Sequence, residues 1–156
     1  EWQHAERLTE LDVAIDTFYK TLQAAYAGQV TLMTFSEFGR RAAANASYGT
    51  DHDMASPLFL IGDKVRGGLH GLQPSLTNLD ANGNLRTEVD FHQVYATVLD
   101  KWLDADSAQL LGGTYATLDL FTGSPQGPSV QRFLGRRSVL WAIREFATSR
   151  IEAVER

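Results

Sequence analysis

Val30-Thr31-Leu32-Met33-Thr34-Phe35, followed at once by Ser36-Glu37-Phe38-Gly39-Arg40, is the stretch on which the reading of the fold turns. Six consecutive positions of β-branched and large apolar residues have the composition of a strand covered on both faces. Ser36 and Gly39 break the run, so Glu37 and Arg40 stand just past its carboxyl end. Ligands bind at that edge in open α/β sheets. Immediately upstream, residues 5–27 place Leu8, Leu11, Ile15, Phe18, Tyr19, Leu22 and Tyr26 at three- and four-residue steps, which predicts one amphipathic helix. Ala27-Gly28-Gln29 ends that helix and leads straight into the strand, the short connection of alternating α/β layers.

Downstream, the turn-rich stretch Asn45 to His52 delivers Asp51 and His52 shortly before a second apolar run, Pro57 to Ile61. Leu58 to Ile61 lacks polar alternation and reads as another strand covered on both faces, so two parallel neighbours, Val30–Phe35 and Leu58–Ile61, are expected. Two loops would then bring the carboxylates of Glu37 and Asp51 and the imidazole of His52 to one sheet edge. Oxygen and nitrogen donors converging on a cleft are the donor set of a divalent metal. Each also has a plainer reading: Glu37 as a carboxylate bonding turn amides, Asp51 or Thr50 as a local cap beside an exposed histidine. Arg40 can grip an anion with its planar fork, or simply be solvated.

The rest of the chain is punctuation and helix. Gly62 to Asp90 is loop-like, with a tight turn expected at Asn82-Gly83. Asp80-Ala81-Asn82-Gly83-Asn84 looks like a calcium loop, but its glycine comes too early and its twelfth position lacks an acid, so it reads as a turn. Asp90 caps a helix carrying Phe91, Val94, Tyr95, Val98, Leu99 and Trp102, an aromatic and aliphatic stripe with core spacing. His70 and His92 read as surface or capping residues. The organisation expected is a main α/β unit over 1–121, a Gly/Pro linker over 122–129 and a terminal amphipathic helix over 130–156, marked by Leu140, Ile143, Ala147, Ile151 and Val154.

Composition removes several function classes. A formal charge of -5, with basic pairs only at Arg40-Arg41 and Arg136-Arg137, argues against nucleic acid as the partner. The absence of cysteine excludes disulfides and thiolate metal sites. No run approaches the ~18 apolar residues of a membrane span. Nothing resembles a phosphate-cradling glycine loop, a Gly-x-Ser-x-Gly elbow or a dinucleotide fingerprint.

Thr34-Phe35-Ser36-Glu37-Phe38-Gly39-Arg40, then Gly49-Thr50-Asp51-His52, Pro57-Leu58-Phe59, Lys64-Val65-Arg66-Gly67-Gly68 and Asp90-Phe91-His92-Gln93-Val94-Tyr95 occur in an order that resembles a bacterial family labelled domain of unknown function 1501, related to alkaline phosphatases and sulfatases. The likeness ends at Leu111-Gly112-Gly113 or shortly after Phe121. The resemblance implies part of an α/β/α sandwich with a mostly parallel sheet, exported to the periplasm. It also implies a hydrolase acting on small phosphate or sulfate esters with a bound divalent metal (Zn, Mg, Ca or Mn). Ser36-Glu37-Phe38-Gly39 is similar to the Ser-Asp-His-Gly strand end of those enzymes, and His52 to their later histidine. Glu37, Asp51 and His52 are then the expected metal ligands and Arg40 the substrate-binding residue. Phe38, standing where a ligand histidine would, cannot coordinate a metal.

The chain is similar to the carboxyl-terminal part of such a protein, with the nucleophile expected upstream of Glu1. A partial sheet needs a partner chain or a second copy to cover it. The competing expectation is a non-catalytic exported scaffold that keeps the fold and has lost the site.

Overall fold

A computed structural model describes residues 2–123. The linker expected over 122–129, beyond Thr122 and Gly123, and the helix expected over 130–156 lie outside these residues. The described elements make a mixed α/β chain: helix α1 (Trp2–Thr21), a short α2 (Ala24–Ala27), strands β1 (Leu32–Met33), β2 (Gly39–Ala44), β3 (Thr50–Asp53) and β4 (Leu60–Ile61), then α3 (Phe91–Thr97), a π turn (Val98–Trp102) and α4 (Ser107–Leu111). No helix among the described residues is long and apolar enough to cross a membrane.

The helix expected over 5–27 is divided. The Thr21 hydroxyl donates back to the carbonyls of Thr17, at 2.8 Å, and Phe18, at 3.1 Å, which competes with the backbone ladder at the end of α1. Gln23 is extended, and α2 starts afresh beyond it. What ties α1 to the sheet is Tyr19, whose hydroxyl donates to the Ile61 carbonyl at 2.6 Å. Burial holds the Tyr19 phenol above its ordinary range; the Leu32 amide opposes this and the Asp63 carboxylate adds to it. A raised pKa in the folded chain stabilises the protonated form. Its contribution is complete below the unfolded value of about 10 and is lost as pH rises through the folded value. Tyr19→Phe is therefore expected to lower stability by about 1 kcal/mol in urea titrations near neutrality, and to flatten the fall in stability on the alkaline side.

β1 and β4 are neighbours, as their apolar composition implies, but they pair antiparallel, Leu32 opposite Ile61 and Met33 opposite Leu60. The pairing extends through Thr34, whose amide donates to the Phe59 carbonyl at 3.0 Å and whose hydroxyl accepts from the Phe59 amide at 2.9 Å. This corrects the parallel arrangement expected for the two segments. A parallel pair needs a crossover connection, usually a helix. Here the intervening residues fold into the β2–β3 hairpin, so the chain returns alongside β1 in the opposite sense. The mostly parallel sheet of a sandwich is not seen among the described residues, whose sheets are both two-stranded and antiparallel.

Asn45 builds the hairpin's turn. Its side-chain oxygen accepts the amides of Ser47 and Gly49, each at 3.0 Å, and its own amide donates to the Gly49 carbonyl at 2.8 Å. The expected turn at 80–84 has the same logic: the Asp80 carboxylate accepts the amides of Asn82 and Asn84 at 2.8 Å, and Gly83 takes the positive φ of 80° the turn requires. The Asn84 amide holds the Asp80 carboxyl below its ordinary range.

The core forms around α3 and the π turn. Asp90 caps α3 with a reciprocal capping box, its carboxylate accepting from the backbone and the Gln93 side chain accepting from the Asp90 amide. Val94, Val98 and Trp102 pack with Leu120 and Phe121 on one side. Tyr95, Ala96, Leu99 and Leu111 pack on the other. Met33 of β1 touches both groups, which fixes the β1–β4 ladder against the helix. Thr97, fully buried, donates to the Gln93 carbonyl at 2.6 Å and accepts from the Leu118 amide at 2.8 Å, so the segment before Phe121 is fastened to α3. That segment closes onto the loop after β4, where Val65 bridges Phe121 and the Thr122 amide donates to the Lys64 carbonyl at 2.8 Å.

Candidate functional site

The β2–β3 hairpin carries most of the residues that the sequence nominates, and its pairing decides which of them can act together. Gly39 lies opposite Asp53 and Arg40 opposite His52. Side chains directly across a ladder share a face, and successive residues alternate between faces. Arg40 and His52 therefore stand on one side. Phe38, two residues before Arg40, joins them: its ring stacks on the His52 imidazole with centroids 3.7 Å apart and planes 9° from parallel. The Arg40 guanidinium lies over the same ring, 4.9 Å from its centre, and donates one hydrogen bond to the Thr50 carbonyl at 2.9 Å. The result is a layered group, imidazole on phenyl under guanidinium, with Arg40 and His52 exposed and Phe38 half-buried.

Local bonding sets Phe38 in place. The Ser36 hydroxyl donates to the Phe38 carbonyl at 2.7 Å, folding residues 36–38 tightly between β1 and β2. Glu37 is exposed beside Phe38.

The opposite face is structural. Gly39 is buried because the backbone of Ala55 passes directly over it; a Cβ there would sit 1.6 Å from the Ala55 carbonyl oxygen. Asp53 is 7% exposed and spends both carboxylate oxygens on amides, one on Met54 and the other on Leu85 at 2.8 Å. It thereby pins the long 62–90 excursion to the hairpin. Asp51 is held by the Asn45 side-chain amide at 2.9 Å.

The strand geometry separates two of the expected metal ligands. Asp51 and His52 are successive strand residues and so project to opposite faces. His52 is engaged by Phe38 and has a guanidinium as its neighbour across the ladder, and a cation beside a donor opposes binding of a second cation. Among the described residues no group of three or more histidines and carboxylates could hold a metal ion. Asp51 and His52 are thus turned apart, while Arg40 and His52 meet at the Phe38 ring.

Two residues that matter here escape a reading of the sequence. Phe38 reads there only as a lost ligand; an aromatic two positions before an arginine in a strand is the available signal for a stack. Asp53 carries a weaker signal, an aspartate at both 51 and 53, the alternation that marks one strand face. Elsewhere, His92 braces the Asp90 cap of α3. Its Nδ1 pairs with the Asp90 carboxylate at 2.7 Å and its ring stacks on Tyr115 at 4.4 Å.

Residues 1–123 match the model of the family described as Protein of unknown function (DUF1501). No curated protein and no solved structure matches the chain.

Proposed function

From the premise that this chain belongs to the DUF1501 family, we propose that the Phe38–Arg40–His52 face recognises the anionic group of a small phosphate or sulfate ester. The observation that carries this reading is the guanidinium laid over the Phe38 ring, which is itself stacked on an imidazole. The phenyl ring holds the guanidinium plane by cation–π attraction and leaves the fork's edge to meet an oxyanion with paired donors. His52 supplies a further ring N–H beside it.

In this reading the residues bind and orient; they do not cleave. A nucleophile and a metal, the parts with which an alkaline-phosphatase or sulfatase-like enzyme breaks the ester bond, need donors beyond the described residues. The resemblance of the Ser36-Glu37-Phe38-Gly39 segment to the strand end of those enzymes supports placing the hairpin at the substrate side of such a domain. It also supports export to the periplasm. A scaffold reading draws on different residues: Leu69, Leu72 and Leu76 are exposed on the long loop, Leu69 completely. Exposed apolar side chains, where they join into one patch, serve contacts with other chains.

Anion binding separates the two. Titration of the chain with inorganic phosphate, sulfate and an aryl phosphate is expected to show saturable binding. Arg40→Ala should weaken it at least tenfold, corresponding to the roughly 1.5–3 kcal/mol of a charge-assisted contact. Arg40→Lys should recover only part of it, because an ammonium lacks both the fork and the stacking plane. Absence of saturable binding by the native chain, or full binding by Arg40→Ala, returns the protein to the scaffold reading.

A further inference from the structure

We propose that Asn82 is a site of spontaneous covalent modification, converted to aspartate and isoaspartate through attack by the Gly83 amide, and that the Asp80 carboxylate holds this reaction back. The proposal goes beyond the ester-binding reading and rests on other residues. The chain's asparagines are Asn45, Asn78, Asn82 and Asn84, and Asn82 alone is followed by glycine. The following residue decides the chemistry. Its backbone nitrogen can reach the asparagine's own side-chain carbonyl carbon and close a five-membered ring, and a Cβ on that residue crowds the approach, whereas glycine leaves it open. Nothing lies within 4 Å of the point where a Cβ on Gly83 would stand, and Asn82 is exposed. Asn78 and Asn84 are each followed by leucine. Asn45 precedes an alanine, and both polar atoms of its side chain are engaged, with Ser47 and Gly49 on one and Asp51 on the other.

The reaction balances with water as its only co-reactant. The Gly83 nitrogen gives up its proton and bonds to Cγ of Asn82, the Cγ–Nδ2 bond breaks, and Nδ2 leaves as ammonia. Water then opens the cyclic imide. Opening at Cγ gives aspartate; opening at the main-chain carbonyl gives isoaspartate, with the backbone rerouted through the side chain. Either product carries a negative charge where a neutral amide stood.

The turn opposes the first of these steps. The Gly83 N–H, whose nitrogen must attack, donates to the Asp80 carbonyl at 3.1 Å. The Asp80 carboxylate then fixes the peptide from both sides: one oxygen accepts the amides of Asn82 and Asn84 at 2.8 Å, and the other accepts from the Asn84 side chain at 3.2 Å. The peptide group between residues 82 and 83 is therefore held between two bonded amides, and turning its nitrogen towards the Asn82 side chain requires those bonds to open. Their acceptor is charged, which makes them roughly twice as strong as neutral ones. Modification would also be felt beyond the turn. The Leu85 amide, next after Asn84, donates to Asp53 at 2.8 Å, so a new carboxylate or an extra backbone carbon at 82 lands close to the bond that pins the long loop to the hairpin.

The test follows conversion at residue 82 in the full chain, held in mildly alkaline buffer with and without guanidinium, by peptide mass spectrometry and enzymatic methylation of isoaspartate. The folded native chain should convert roughly tenfold or more slowly than the unfolded chain, because bonds to a charged acceptor must open first. Asp80→Ala, shown to be folded by circular dichroism, should lose most of that protection, and Asp80→Asn, which keeps one acceptor oxygen, should lose part of it. Where Asp80→Ala does not fold, Asp80→Asn decides. In guanidinium, where no turn intervenes, Gly83→Ala should convert far more slowly than the native sequence. Equal rates in the folded and unfolded native chain overturn the restraint, and so do folded Asp80 variants that convert no faster than the native protein. A product that is aspartate alone, or faster conversion at Asn78 or Asn84 than at Asn82, overturns the route through Gly83.

Discussion

Gly39→Ala is expected to abolish the cooperative thermal transition of the chain, or to lower stability by more than about 3 kcal/mol where a transition survives. A methyl group at this position would lie 1.6 Å from the Ala55 carbonyl oxygen and 2.3 Å from its carbon. Both atoms are backbone, so no side chain can swing aside; the 53–57 segment has to move as a unit. That segment leads from β3 into the residues that pair with β1. The damage should spread beyond the hairpin to the ladder, and from there through Met33 to both halves of the core. Circular dichroism melting curves, with Gly28→Ala as a control in open space, measure it. A Gly39→Ala protein that melts like the native chain would show that the hairpin and the 55 segment are not in contact.

Asp53→Ala should cost roughly 3 kcal/mol or more in urea unfolding. Each amide that bonds a buried carboxylate contributes about 1.5–3 kcal/mol, and Asp53 receives two, from Met54 and Leu85. Truncation strands both donors away from water. Asp53→Asn is the sharper comparison, because it keeps the volume while replacing one acceptor oxygen with a donor that faces an amide; it should recover at most part of the loss. Hydrogen exchange at Leu85 should accelerate in both variants while that at Leu99, deep in the core, changes only with global stability. Equal exchange at Leu85 in native and mutant proteins would place the anchor of the long loop elsewhere.

Local signals in the sequence translate into structure where a few neighbouring residues decide the outcome. Asp90 and Gln93 specify a helix start by themselves, and the cap is present; Asp80 with Gly83 likewise specifies its turn. The strand positions around Leu32 and Leu60 are legible from composition, but their relative direction is not. Direction depends on what joins the two segments, and Gly39-Arg40-Arg41-Ala42-Ala43-Ala44 has the intrinsic preference of a helix rather than a strand. The hairpin overrides that preference through Asn45's turn and the pairing with Thr50–Asp53. The same local ambiguity governs the site. With 45–52 taken as a loop, Asp51 and His52 can be imagined side by side around an ion; as strand residues they face opposite ways. Arg40 is legible because a strand end and an exposed strand edge both leave it facing outward.

The π turn at Val98–Trp102 has a consequence for how this protein tolerates changes in chain length. In a plain α-helix residues four apart drift around the axis, since each residue turns about 100°, and Val94, Val98 and Trp102 would gradually leave a common face. The wider turn takes up that drift, keeping all three against Leu120 and Phe121. A deletion of one residue in 91–97 would swing every later side chain by about 100° and pull the aromatic anchor out of its cluster. The same deletion within 98–102 can be absorbed by tightening the wide turn into an ordinary one. The stretch is therefore the helix's slack, where a residue can be lost without re-aiming the side chains beyond it.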